Sequence, residues 1–394
     1  MFSPQLLVFL VFGLLVTASP ITSPPGFISL DFDIIKTQKN IVPNENIIVS
    51  KRQPVPVTLI KEQIAYAAEI TIGSNNHKQT VIIDTGSSDL WVVDKNATCV
   101  RRFEQQVQDF CKANGTYDPI TSSSAKKLGT VFDISYGDKT NSSGNWYKDT
   151  IKIGGITITD QQFANVKSTS VAQGVMGIGF KTNEASNVTY DNVPITLKKQ
   201  GIISKSAYSL YLNSSDSTTG EIIFGGVDNA KYTGKLIDLP VTSNRELRIH
   251  LNSLTIGVTN ISASMDVLLD SGTTFSYLQQ DVLQHVVDKF NGQLIHDALG
   301  NPLHLVDCDL PGNIDFEFSN SSKISVPSSE FAVKLYTING ELYPKCQLSI
   351  LTSSANILGN NFLRSAYIVY DLEDKKISLA QVKYTSKSNI LPLT

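Results

Sequence analysis

The chain has 394 residues, 41% of them hydrophobic and 18% charged, which is enough for two domains that each bury a core. A net charge of −3 leaves no basic footprint and argues against nucleic acid as a partner. The four cysteines form no Cys-x-x-Cys pair, and His77, His250, His285, His296 and His304 lack ligand spacing, so neither a metal nor a cofactor is expected.

Residues 1–18 join an apolar stretch to small residues and read as a signal peptide, although the usual basic start is missing. The run is too short to span a bilayer comfortably, so secretion to the extracellular space is expected, without stable membrane association. Residues 19–52 follow as a pro-segment ending in Lys51-Arg52, a pair suited to a dibasic-specific processing protease. From residue 57 onward, short alternating or wholly apolar runs are broken by Gly, Asn, Asp and Ser, the pattern of an all-β protein. Val81-Ile82-Ile83 delivers Asp84 into Thr85-Gly86-Ser87-Ser88. Val131–Tyr136 and Thr150–Ile153 read as strands, and Val175-Met176-Gly177 ends 93 residues after Asp84. After a strand at Glu221–Phe224, Val267-Leu268-Leu269 repeats the first motif and delivers Asp270 into Ser271-Gly272-Thr273-Thr274. Gln280–Asn291 is the best helix, with Val282, Leu283, Val286, Val287 and Phe290 on one face. Ile357-Leu358-Gly359 ends 89 residues after Asp270, and strands at Ile368–Tyr370 and Lys376–Val382 follow.

Each half therefore reads as an apolar run, an aspartate and a turn, then an apolar-apolar-glycine echo. The expected lobes are 53–235 and 236–394. Cys99 and Cys111 fall in the first and Cys308 and Cys346 in the second, although sequence alone allows three connectivities. Asn96, Asn114, Asn141, Asn187, Asn213, Asn260 and Asn320 head Asn-x-Ser/Thr sequons, candidate glycosylation sites in a secreted chain.

A lone carboxylate at the mouth of a buried strand is costly. Two of them, one from each half, offset that cost by sharing a site, a proton and turn amides. Held close, they cannot both ionise cheaply, so one pKa falls and the other rises. The pair then supplies a general base and a general acid.

Beyond these two motifs, Trp91 stands seven residues past Asp84, and Ile134-Ser135-Tyr136-Gly137-Asp138 follows. With Ile222–Asp228, Ile357–Tyr370 and the placement of the four cysteines, the set resembles the pepsin-like aspartic proteases. It resembles more closely the secreted aspartic proteases of yeasts (candidapepsins), over nearly all of the chain after Arg52. The resemblance implies an all-β, two-lobed fold with a few short helices and a deep cleft. It implies catalysis by Asp84 and Asp270 and a flap carrying Tyr136, Gly137 and Asp138 over an extended peptide. Thr85, Gly86, Ser271, Gly272, Thr273 and Thr274 would surround the carboxylates and the substrate, with hydroxyl bonds from Ser87 and Thr273. Trp91 would support Tyr136, or serve as a core aromatic. Val175 and Tyr277 would line the two sides of the cut bond, or be core residues. Disulfides Cys99–Cys111 and Cys308–Cys346 complete the pattern.

The implied activity is acid endopeptidase cleavage of proteins and peptides, broad but favouring hydrophobic residues, by a monomer made as a zymogen and blocked by pepstatin-type inhibitors. One departure is Lys139, where the family's flap usually has glycine. Lysine at a tip that wants positive φ is strained by about 1 kcal/mol. It is either a tolerated surface residue or one that alters closure and biases the cleft toward acidic side chains. A second oddity, Arg101-Arg102 between Cys99 and Cys111, reads as a solvated pair or as a site of internal nicking. The alternative reading of the whole chain is a catalytically inactive pepsin-fold binding protein, a class that lacks one aspartate or damages its turn; both turns are intact here.

Overall fold

A computed structural model of the chain describes residues 26–37, 46–47, 57–58, 60–61, 63–102, 106–296, 302–319, 322–336 and 341–394. The expected signal peptide, Lys51-Arg52 and Asn320 lie outside them. The described residues are mostly strand, with α-helices at Val193–Lys199, Gln280–Lys289 and Asn360–Leu363. The expected helix appears at Gln280–Lys289 and buries Val282, Leu283, Val286 and Val287. No helix among the described residues is long and apolar enough to cross a membrane.

In the first lobe, Gln63–Ile72 and His77–Asp84 pair antiparallel across a turn that places Asn76 at a φ of 52°. Gly174–Gly177 runs parallel to the end of that second strand, with Gly177 opposite Asp84, and antiparallel to Leu90–Cys99. Lys126–Ser135 and Asn141–Ile153 form a long hairpin whose tip carries residues 136–140. The second lobe repeats the central arrangement. Thr259–Leu269 leads into Asp270, and Ile357–Leu358 runs parallel to it and antiparallel to Ser276–Leu278. Glycine is required at both crossings. A Cβ on Gly177 would lie 2.5 Å from the Ser88 nitrogen, and one on Gly359 would lie 2.5 Å from the Thr273 oxygen.

One sheet joins the lobes. Its order runs Tyr232–Pro240, Lys376–Val382, Ala366–Asp371, Ala207–Tyr211, Thr219–Phe224, Ile28–Thr37 and Gln63–Ile72, then on into the first lobe. The lobe boundary expected at 235/236 falls inside Tyr232–Pro240, because that strand is needed as the edge partner of Lys376–Val382. The expected pro-segment contributes the strand Ile28–Thr37 to the middle of this sheet. Ile28 stands opposite Phe224 and Asp33 opposite Ala67, while Ile28, Leu30 and Phe32 are buried.

The main apolar core runs continuously from lobe to lobe, through Tyr66, Phe224, Leu269, Phe316 and Tyr370. A separate cluster under the hairpin tip gathers Trp91, Phe132, Trp146 and Val175, with Tyr136 packed against it. Of the three possible connectivities, the fold adopts Cys99–Cys111 and Cys308–Cys346, with Cα separations of 5.5 and 5.0 Å.

Candidate active site

Each apolar strand ends by turning its aspartate toward the other lobe. Asp84 and Asp270 are both 7% exposed. The turns are equivalent bond for bond. Gly86 N donates to Asp84 Oδ1 at 2.8 Å and Gly272 N to Asp270 Oδ1 at 2.8 Å. Ser87 Oγ donates to Asp84 Oδ2, and Thr273 Oγ1 to Asp270 Oδ2 at 2.5 Å. Each carboxylate thus accepts one amide and one hydroxyl on its own side.

The two turns also press against each other. A Cβ on Gly86 would sit 2.6 Å from the Asp270 carboxyl carbon, and one on Gly272 would strike Asp84. Burial and the neighbouring Asp84 charge push the Asp270 carboxyl well above the ordinary carboxylate range. The two groups therefore form one dyad whose titrations are coupled.

Thr85 and Ser271 were expected only as residues around the substrate, and the structure gives their hydroxyls a different setting. Thr85 Oγ1 donates to Leu269 O at 2.7 Å and accepts from Ser271 N at 2.9 Å. Ser271 Oγ donates to Ile83 O at 2.8 Å and accepts from Thr85 N at 3.1 Å. Four reciprocal bonds, all buried, lock one aspartate turn to the other. The sequence did carry a signal for them, since both copies of the repeat place a hydroxyl directly after the aspartate.

Above the dyad, the hairpin tip is closed by Lys139 N donating to Tyr136 O and by Tyr136 N donating to Thr140 O, both at 2.9 Å. Asp138 Oδ1 accepts from the Thr140 amide at 2.9 Å and hydroxyl at 2.6 Å. Lys139 takes a φ of 67°, the left-handed conformation expected to strain it. Gly137 is exposed at the tip. Trp91 Nε1 donates to the Tyr136 hydroxyl at 2.7 Å, and burial with the Asp84 charge pushes that phenol pKa upward.

Tyr277 is half-buried on Ser276–Leu278, near enough to Asp138 and Asp270 for their charges to raise its pKa after burial itself. Thr274 is half-buried, and its carbonyl accepts from Asn361 N at 3.3 Å. Val175 is 4% exposed and packs with Trp91 and Tyr136. Its strand pairs in register with both Ile82 and Trp91.

Two features had no sequence signal. Asp89, buried just beyond the first turn, accepts from Ala185 N and the Tyr190 hydroxyl, each at 2.8 Å. Glu184 accepts from Tyr190 N at 2.9 Å, and its other oxygen is buried with no hydrogen-bond partner. Burial raises the Asp89 carboxyl and pushes Glu184 up to about 8. The adjacent Asn183 side chain reaches Gly86 O at 3.4 Å, which ties this loop to the first aspartate turn.

Among the sequons, Asn96, Asn141, Asn187 and Asn260 are exposed. Asn114 and Asn213 are half-buried, and the Asn213 amide donates to Ser217 Oγ and Thr219 O. No group of three His, Cys, Asp or Glu side chains is placed to hold a metal among the described residues.

Chemically, the arrangement offers two opposed carboxyls with coupled titrations, fixed by amide and hydroxyl donors, under a hairpin that carries a phenol and a carboxylate. Comparison with known proteins agrees with that inventory. The model of the eukaryotic aspartyl proteases matches residues 65–382. The chain is 59% identical to candidapepsin-3 of Candida albicans (strain WO-1), with 100% of each chain covered. It is 57% identical to secreted aspartic protease 1 of Candida albicans, again over 100% of each, and 50% identical to candidapepsin-4 over 99% of each. The chain belongs to the eukaryotic aspartyl protease family and is a pepsin-like aspartic peptidase.

Proposed function

We propose that the chain is a secreted acid endopeptidase in which Asp84 and Asp270 together activate a water for attack on a peptide carbonyl. Asp270, raised by burial and by its partner's charge, holds the proton that goes to the carbonyl oxygen. Asp84, fixed by Gly86 N and Ser87 Oγ, takes the proton from water. The observation that carries this reading is the matched pair of turns, each with its glycine against the other's carboxyl. Tyr136, Gly137 and Asp138 close over an extended substrate, with Trp91 bracing the phenol and Tyr277 forming part of the opposite wall. Secretion is the state named for the relatives and fits the apolar start of the chain.

The enzyme is made as a zymogen: cleavage after Lys51-Arg52 removes residues 19–52, and the mature chain begins at Gln53. Apolar walls favour hydrophobic residues at the cut with broad tolerance. The test compares wild type with Asp84→Asn and Asp270→Asn on denatured protein at acid pH, with and without pepstatin. Loss of activity on the order of a thousandfold or more is expected in each variant, with equal melting temperatures. Substantial cleavage surviving in either variant would remove that aspartate from the chemistry. N-terminal sequencing of the secreted form tests the start at Gln53.

A further inference from the structure

The loop closed by Cys99–Cys111 reaches the flap. Arg102 Nη1 stands 3.7 Å from Asp138 Oδ2, while the other Asp138 oxygen is held by the Thr140 amide and hydroxyl. Arg102 is tied on its own side, because its N donates to Gln106 Oε1 at 2.7 Å and Cys99 is bonded to Cys111. Asp138 is 63% exposed, and its charge is felt at the hydroxyls of Tyr136 and of Tyr277 on the facing lobe. The carboxylate therefore lies within electrostatic reach of both tyrosines, and the guanidinium stands against the one oxygen not spent on the turn. Among the described residues, the other charges on these two segments are the exposed Lys139 beside Asp138 and Arg101, whose guanidinium turns to Gln106 O at 3.5 Å.

We propose that Arg102 is a specificity-determining residue: by pairing with Asp138 it neutralises the flap carboxylate and suppresses cleavage beside cationic substrate side chains. An exposed pair of this kind contributes little to stability, so its effect falls on recognition. With Arg102 in place, a lysine or arginine next to the cut meets a compensated charge. Without it, the same side chain meets a free carboxylate at the rim. The loop disulfide then has a part in specificity, since it holds the covering cation in register with the flap.

The inference rests on the cleft reading above, and turnover of a neutral peptide by the unaltered enzyme tests that reading separately. The experiment uses two peptides identical except for lysine or glutamine immediately before the cut, with cleavage positions fixed by mass spectrometry. In Arg102→Gln the lysine-to-glutamine ratio of kcat/KM is expected to rise about three- to tenfold, mostly through KM, as one uncovered surface charge would give. The gain should shrink in 0.5 M salt, because screening acts on exposed charges. Arg102→Lys should keep the wild-type ratio, and Arg102→Gln combined with Asp138→Asn should return to it. A ratio unchanged in Arg102→Gln, at a wild-type melting temperature, overturns the proposal. So does an equal rise when Asp138 is already asparagine, since the guanidinium would then repel the substrate without acting through the flap.

Discussion

Replacing Thr85 by valine keeps the shape and the branching of the side chain and deletes one oxygen. That oxygen donates to Leu269 O at 2.7 Å and accepts from Ser271 N at 2.9 Å, in a setting where Thr85 and Ser271 are each 1% exposed. Ser271 N would be left buried and unpaired, at about 1–3 kcal/mol, while Leu269 O would keep the longer bond from the Tyr370 hydroxyl at 3.4 Å and lose about 0.5–1.5 kcal/mol, for roughly 1.5–4.5 kcal/mol in total. With about 2.1 cal/mol/K of unfolding entropy per residue, a two-lobed chain of this size should melt about 2–6 °C lower, measured by scanning calorimetry. The turns that carry the dyad would also lose register, so kcat should fall at least tenfold, with a smaller change in KM. Thr85→Ser retains the hydroxyl and should recover most of both losses. Because the two hydroxyls are reciprocal, Thr85→Val and Ser271→Ala should be non-additive, with a coupling of about 0.5–3 kcal/mol. A Thr85→Val enzyme that melts within a degree of wild type and turns over normally would refute the claim that this pair locks the lobes together.

Thr273→Ala removes a donor that favours ionised Asp270, so the alkaline limb of the kcat profile should move to higher pH; a shift toward acid would count against the dyad assignment. Glu184, whose folded pKa is raised to about 8 from 4.5, binds more protons in the native state, so its contribution is intact below pH 4.5 and is lost as pH rises to about 8. The loss should be of order 2–4 kcal/mol, and Glu184→Gln should flatten the decline of melting temperature between those pH values. Trp91→Phe takes away the indole donor to Tyr136 and should lower kcat several-fold without shifting the pH limbs, as steady-state profiles would show. Glycopeptide mapping should find glycans on exposed Asn96 and Asn187 and none on Asn213, whose amide is committed to Ser217 and Thr219.

Much of this arrangement was legible in advance because it is written twice. Apolar runs ending in Asp84 and Asp270 could only be buried strands opening into turns, and the glycine echoes at Gly177 and Gly359 marked where a second strand crosses each turn. Periodicity likewise identified the helix at Gln280–Lys289. The unread parts depend on contacts between residues far apart in the chain. Nothing near Glu184 in sequence signals that it will be buried beside Asp89, and Arg102 lies 36 residues from the carboxylate it meets. Tyr232–Pro240, the strand that spans the expected lobe boundary, likewise belongs to a sheet whose partners come from both halves.

The strand Ile28–Thr37 has a consequence for the order of events in maturation. It is hydrogen-bonded on both sides, to Thr219–Phe224 and to Gln63–Ile72, and it buries Ile28, Leu30 and Phe32. Those three side chains alone correspond to roughly 5–9 kcal/mol of favourable burial. A cut after Arg52 would therefore leave the strand seated as a separate peptide, and scission and departure would be two events with different rates. Departure would expose two facing strand edges in the middle of a sheet, a template for pairing with any extended chain, including another copy of this protein.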